Sequence, residues 1–189
     1  MADFINTVDV IGDDVLTDSI IMKTVTEYKD DQIKQLGWYA FYNCIALECV
    51  DLPNITIMGQ GVFTGCSGLK KINIPKITAL QQGTFSGCSS LVVLDLPGVT
   101  ALMGNQMVKN CYALTAMILR YTSVCGFQYS GGLAASSIAT GKAYIYVPSA
   151  LVDSYKAATN WSQFADQFRA LEDYTVDGTI TGELDETKI

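Results

Sequence analysis

The chain has 189 residues, 49% of them hydrophobic, which is enough to bury a core of its own without covalent staples. It contains no histidine, so the usual mixed zinc sets and every His-dependent nucleophile system are excluded. Its formal net charge of −7 offers no basic footprint, so nucleic acid and anionic membrane are not expected as partners. The N-terminal "MADFINTVDVIGDDV" has neither a basic start nor a long apolar stretch, so it does not read as a secretory signal. No run in the chain approaches the roughly eighteen apolar residues of a spanning helix, and membrane insertion is not expected. Residues 1–32 are expected to form an N-terminal cap, with acidic residues of "DDVLTDSIIMK" opening a short helix that covers the first coil.

From residue 33 the chain repeats itself. Phe41, Phe63, Phe85 and Met107 stand 22 residues apart. Cys44, Cys66, Cys88 and Cys111 succeed one another at spacings of 22, 22 and 23, so the fourth copy holds one extra residue before its cysteine. The series Leu47, Leu69, Leu91, Leu114 and Leu52, Ile74, Leu96, Leu119 keep the same register. A period of this length is the mark of a stacked repeat architecture.

Each copy reads physically in the same way. In "LKKINIP" (69–75), Ile72 and Ile74 face inward and Asn73 outward, the alternation of a strand with one covered face. Proline then ends the strand, because it cannot donate to a ladder. All four prolines, Pro53, Pro75, Pro97 and Pro148, occupy this position. Before each ladder cysteine stands Asn43, Gly65, Gly87 or Asn110, the residue types that most readily take positive φ. One unit is therefore strand, corner, short helical turn, corner. No unit can bury its apolar side alone, so neighbours stack, and strands that recur once per coil run parallel about 4.8 Å apart. The expected fold is an α/β repeat: a short right-handed solenoid with a parallel sheet on one wall and small helical caps.

At these residues the chain resembles the bacterial leucine-rich repeats of the BspA type. "AFYNCIALECVDLP", "VFTGCSGLKKINIP" and "TFSGCSSLVVLDLP" match that family's pattern nearly letter for letter, and "YIYVPSALVDSYKAATNW" is similar to its closing segment. The resemblance covers roughly residues 33–161. It implies a leucine-rich repeat fold and, by analogy with better known members, bacterial surface adhesion and protein binding.

The array is expected to end at residue 148. Its last strand, "AYIYVP", comes six residues later than the period allows, and the excess falls in "FQYSGGLAASSIATG", read as a surface loop over 126–141. Residues 149–173 read as a C-terminal cap of two short helices with Ser149 and Ser162 as N-caps. Residues 174–189 hold an Asp-Gly turn between threonine-rich arms, suggesting a hairpin and tail.

Candidate chemistry is sparse. Ladder cysteines one coil apart are near enough for disulfides, but recurrence alongside Phe and Leu favours small buried hydrophobes. Cys49 and Cys125 lie outside the ladder; Cys49 aligns with Lys71 and Val93 and is expected at the surface, beside carboxylates that would not activate it. Asp173 to Ile180 imitates the start of a calcium loop, but the twelfth position holds Leu184 where a bidentate Glu is needed. Thr56, Thr78 and Thr100 read as a threonine ladder at a corner rather than a hydroxyl site. No catalytic, cofactor or metal site is assigned, and an enzyme is not expected.

Repeat arithmetic names the outward wall of the sheet. One row is Asp51, Asn73, Asp95, Ile118 and Tyr146; the other is Cys49, Lys71, Val93, Ala116 and Tyr144. Its first half is polar. Its second half is apolar and tyrosine-rich, either an interaction patch or a surface covered by the 126–141 loop. The expected function is non-catalytic interaction with a protein or cell-surface macromolecule, of the bacterial adhesion type, with self-association possible. The alternative is a structural component of a phage or phage-like particle. By resemblance the chain would be cell-surface, secreted or phage-associated.

Overall fold

The computed structural model describes residues 10–12, 24–176 and 179–180. The expected helix in "DDVLTDSIIMK" and the tail beyond residue 180 lie outside the described residues.

In chain order the strands are β1 (Val10–Ile11), β2 (Glu27–Lys29), β3 (Gln35–Leu36), β4 (Cys49–Asp51), β5 (Ile57–Met58), β6 (Lys71–Asn73), β7 (Ala79–Leu80), β8 (Val93–Leu96), β9 (Ala101–Leu102), β10 (Ala116–Leu119), β11 (Gly126–Phe127) and β12 (Tyr144–Val147). The short helix α1 (Val152–Ala157), β13 (Phe168–Ala170), β14 (Thr175–Val176) and β15 (Thr179–Ile180) complete the chain. Each coil thus contributes two strands, not one. One wall holds β2-β4-β6 and then β8-β10-β12-β13, all parallel. A second wall holds β1-β3-β5 and β7-β9-β11, also parallel. The third is an arch of linked turns. In it Tyr42 bonds back to Tyr39, Cys44 to Phe41 and Leu47 to Cys44.

The arches stack by backbone bonds from coil to coil, such as Phe41 to Val62, Phe63 to Thr84 and Phe85 to Met107, each 2.8–2.9 Å. As expected, the residues before the ladder cysteines are left-handed: Asn43 (φ 55°), Gly65 (78°), Gly87 (80°) and Asn110 (60°). A second left-handed position, four residues earlier, was not anticipated. It is Tyr39 (φ 55°), Gly61 (63°), Gly83 (65°) and Gln106 (57°).

The repeated side chains fill the interior. Phe41, Phe63 and Phe85 are fully buried and stacked, with ring centroids 5.3 and 5.7 Å apart. Three of the four ladder thiols point at the preceding coil: the Sγ–H groups of Cys66, Cys88 and Cys111 donate to the carbonyls of Phe41, Phe63 and Phe85 at 3.0, 3.2 and 3.1 Å. At the corner, Thr56 and Thr100 donate their hydroxyls to the carbonyls of Lys34 and Thr78, one period back.

Four expectations need correction. Segment 126–141 is not a surface loop but a further coil. Gln106, Met107 and Asn110 bond into it at Gly131, Gly132 and Ala135, and Leu133 and Ile138 are fully buried. Ser149 and Ser162 are not N-caps: Pro148 and Trp161 hold those positions, and the Ser149 hydroxyl instead donates to Glu172 at 3.1 Å. The second expected helix is two 3₁₀ segments flanking β13, which pairs with β12 and extends the long wall. Finally Glu27–Lys29, expected within the cap, is a strand in register with Cys49–Asp51.

The C-terminal cap closes the stack through Trp161, which is buried against Phe127, Tyr155 and Phe168. Trp161 donates Nε1–H to the Cys125 carbonyl at 2.7 Å, and the Cys125 amide donates to Tyr155 Oη at 2.8 Å. After it, β14 and β15 pair antiparallel around Asp177 and Gly178, which lie outside the described residues.

Candidate functional site

The long wall brings the candidate side chains together in the repeat register, at spacings of 22, 23 and then 28 residues. Asp51 pairs with Asn73, and Cys49 with Lys71. Asp95 pairs with Ile118, which pairs with Tyr146; Val93 pairs with Ala116, which pairs with Tyr144. The register extends to residues the repeat count missed: Lys29 lies beside Asp51, Glu27 beside Cys49, and Arg169 beside Tyr146.

The wall divides sharply in character. On the first half a groove of about 470 Å³ runs over the junction of β6 and β8, lined by Lys29, Asp51, Lys71, Asn73, Asp95 and Arg120 among others. Asn73 donates Nδ2–H to Asp51 Oδ1 at 2.8 Å. Arg120 grips Asp95 through Nε and Nη2 at 3.0–3.2 Å, a bidentate geometry that fixes both side chains. Burial pushes the Asp95 carboxyl above its ordinary value, and Arg120 pulls against it. Arg120 follows β10 at the place where the neighbouring copies have Pro97 and Pro148. That break in the pattern was the available signal for it. Lys71 is exposed and, among the described residues, has no carboxylate within 4.0 Å. The first half therefore presents fixed carboxylates beside an exposed cation.

On the second half the apolar positions are covered. Ala116 and Ile118 are buried, Ile118 completely, and so are not exposed members of the wall. The cover is not the 126–141 segment, which lies within the coil stack. Tyr174 forms a small cluster with Ala116 and Ile118, against which Val93, Tyr146 and Leu171 pack. Its ring meets Tyr146 edge to face at 4.8 Å. Tyr144 remains partly open at 38% exposure, with the Arg169 guanidinium 4.2 Å above its ring. No periodicity announces Tyr174, because it lies beyond the repeats and covers them from outside.

None of the six cysteines is in a disulfide. Burial holds the Cys111 and Cys125 thiols up at about 12 and drives Cys88 well above its ordinary value. Cys66 is raised by its hydrogen bond with Cys44 and by burial. Cys49 is half-buried rather than exposed, and burial with Glu27 raises it too, the opposite of an activated nucleophile. A thiol reagent at neutral pH should therefore label Cys49 first and the ladder cysteines only on unfolding. Mass spectrometry of the briefly labelled native protein checks this, and fast modification of Cys66 or Cys88 would contradict it.

A family model described as a BspA type leucine rich repeat region matches residues 2–121 in six copies. The T. pallidum leucine rich repeat protein superposes with a TM-score of 0.50 at 24% identity, over 61% of this chain and 52% of that one. A leucine-rich repeat protein from Bacteroides ovatus gives 0.53 at 22% identity, over 85% and 45%. The chain spans about half the length of these solved relatives, and at such identities the likeness is one of fold. No protein of curated function matches the sequence. Among the described residues, no helix is long and apolar enough to cross a membrane.

Proposed function

The chain belongs to the BspA-type leucine-rich repeat family, and from that premise we propose that it is a non-catalytic protein that binds a protein partner, in a bacterial adhesion or surface-interaction role. The polar half of the long wall is the binding face, with Asp51, Lys71, Asn73 and Asp95 at its centre and Cys49 at its margin. The observation that carries this reading is the groove at the β6–β8 junction. It is concave, open to solvent, and lined by charges of both signs held in register by the repeat. Fixed Asp51 and Asp95 with the exposed Lys71 supply electrostatic complementarity, which sets register and encounter rate at protein interfaces. Solenoids as a class use such extended concave surfaces for binding. Ala116 and Ile118 take no part, because Tyr174 already occupies that half.

The test reverses charge at the centre of the face. Lys71→Glu combined with Asn73→Arg changes two exposed side chains, so stability should stay within about 0.5 kcal/mol of the parent. Capture of a surface-protein panel by the immobilised chain, and self-association measured by ultracentrifugation, should both be read. Whichever the parent shows should weaken by more than about 1 kcal/mol in the variant. Undiminished association would move the binding face elsewhere.

A further inference from the structure

The arch wall carries a second groove, of about 510 Å³, whose chemistry differs from that of the first. Its floor exists because of the unanticipated left-handed position. In the two middle coils that position is Gly61 and Gly83, which contribute no side chain of their own. In the flanking coils it is Tyr39 and Gln106, which stand at either end. The Tyr39 ring lies directly over Gly61, where a Cβ would collide with it. Non-glycine residues at such φ cost of order 1–3 kcal/mol. Glycine satisfies the fold at this position twice, so Tyr39 and Gln106 are held there at a cost that folding does not require.

Among the described residues, no charged side chain lines this groove. Tyr39 and Tyr42 supply aromatic faces at one end, their rings edge to face at 5.8 Å. Gln60, Gln82 and Gln106 come from successive coils and form polar rungs along the length. Gln60 is held in place by donating to Tyr39 Oη at 2.9 Å, and Thr64 by donating to the Gly83 carbonyl at 2.7 Å. An amide side chain both donates and accepts, as does each hydroxyl of a sugar. A tyrosine ring offers a flat apolar face with a polar tip. Repeated donor–acceptor rungs, aromatic platforms and no charge fit an uncharged, hydroxyl-rich chain with flat apolar faces. A charged peptide would want charge partners, which this lining does not offer.

We propose that this groove binds a neutral oligosaccharide, with Tyr39 and Tyr42 stacked on sugar rings and the three glutamines bonding to hydroxyls one coil apart. Trp38 adjoins the site: it is 59% exposed and its ring lies over Gly59, whereas the other tryptophan, Trp161, is buried. Tryptophan fluorescence of the full chain therefore reports on this end of the groove. The probes are defined hexamers of β-1,4-glucan, β-1,4-xylan, β-1,4-mannan and N-acetylglucosamine, with polygalacturonate as the charged comparison. At least one neutral hexamer should bind with a dissociation constant of about 1 mM or tighter. Tyr39→Gly restores the residue that the middle coils carry and removes the ring without backbone strain, and it should weaken that binding about ten-fold or more. Gln82→Ala should weaken it several-fold, and Lys71→Ala on the other wall should leave it unchanged. Failure of every neutral hexamer to bind, tighter binding of polygalacturonate, or binding indifferent to Tyr39→Gly would each overturn the proposal. So would a peptide competing for the groove where no sugar does. The Lys71→Glu, Asn73→Arg variant separates the two faces, since it should lose the protein partner and keep the sugar.

Discussion

Replacing Phe63 by alanine should destabilise the chain by about 3–5 kcal/mol, the cost of deleting a fully buried aromatic side chain that its surroundings cannot collapse to fill. Collapse is resisted here by construction. The ring is stacked between Phe41 and Phe85, and its plane is within 2° of that of Phe85. The backbone on either side is pinned to the next coil: the Phe63 amide bonds to Thr84, and its carbonyl receives the Cys88 thiol. A solenoid coil touches only its neighbours, so a void in the middle weakens two interfaces at once and leaves no distant contacts to compensate. Denaturant unfolding of Phe63→Ala beside Ser86→Ala, a half-buried control in the arch of the next coil, measures the difference. A loss below about 1 kcal/mol would mean that the phenylalanines are not a continuous core.

What could be read beforehand was whatever recurs once per coil. Because residues one period of 22 or 23 apart become neighbours, the arithmetic placed Asp51 beside Asn73 and Val93 beside Ala116 before any strand was seen. Asparagine alternating with glycine before the ladder cysteines likewise disclosed a left-handed backbone. Features without a period stayed hidden. The second wall consists of two-residue strands such as Ile57–Met58, too short to show alternation. The strand Phe168–Ala170 was masked because Trp161, Phe164, Phe168 and Leu171 are spaced as a helix would space them. The coil over 126–141 was masked by small polar residues between its buried apolar anchors Phe127, Leu133 and Ile138. Tyr39 and Gln106 hid the other left-handed ladder, since neither residue type suggests positive φ.

The candidate site was legible to the same extent. Its polar half obeys the repeat and was read correctly in register; its apolar half looked like a binding patch because the chain that covers it comes from outside the period. That difference has a measurable consequence.

Ile118→Ser should cost about 3–5 kcal/mol, because it removes a fully buried aliphatic group and leaves a hydroxyl in its place. Were Ile118 on an open wall the same change would fall within about 0.5 kcal/mol. The source of the burial can be separated from its extent by pairing this substitution with Tyr174→Ala. Tyr174 is the residue clustered with Ala116 and Ile118, and its ring is held by Tyr146. Once it is gone, serine at 118 faces water, so the cost of Ile118→Ser should shrink in the Tyr174→Ala background. A double-mutant cycle should show a coupling of about 0.5–3 kcal/mol with the sign of shared burial. Tyr174→Ala alone should also make the chain associate at high concentration, since it bares Val93, Ala116 and Ile118 beside the open ring of Tyr144, a contiguous apolar patch. Additive effects, with no new association, would show that some other segment keeps Ile118 dry. Coupled effects would establish that Tyr174 is what keeps the apolar half of this wall dry.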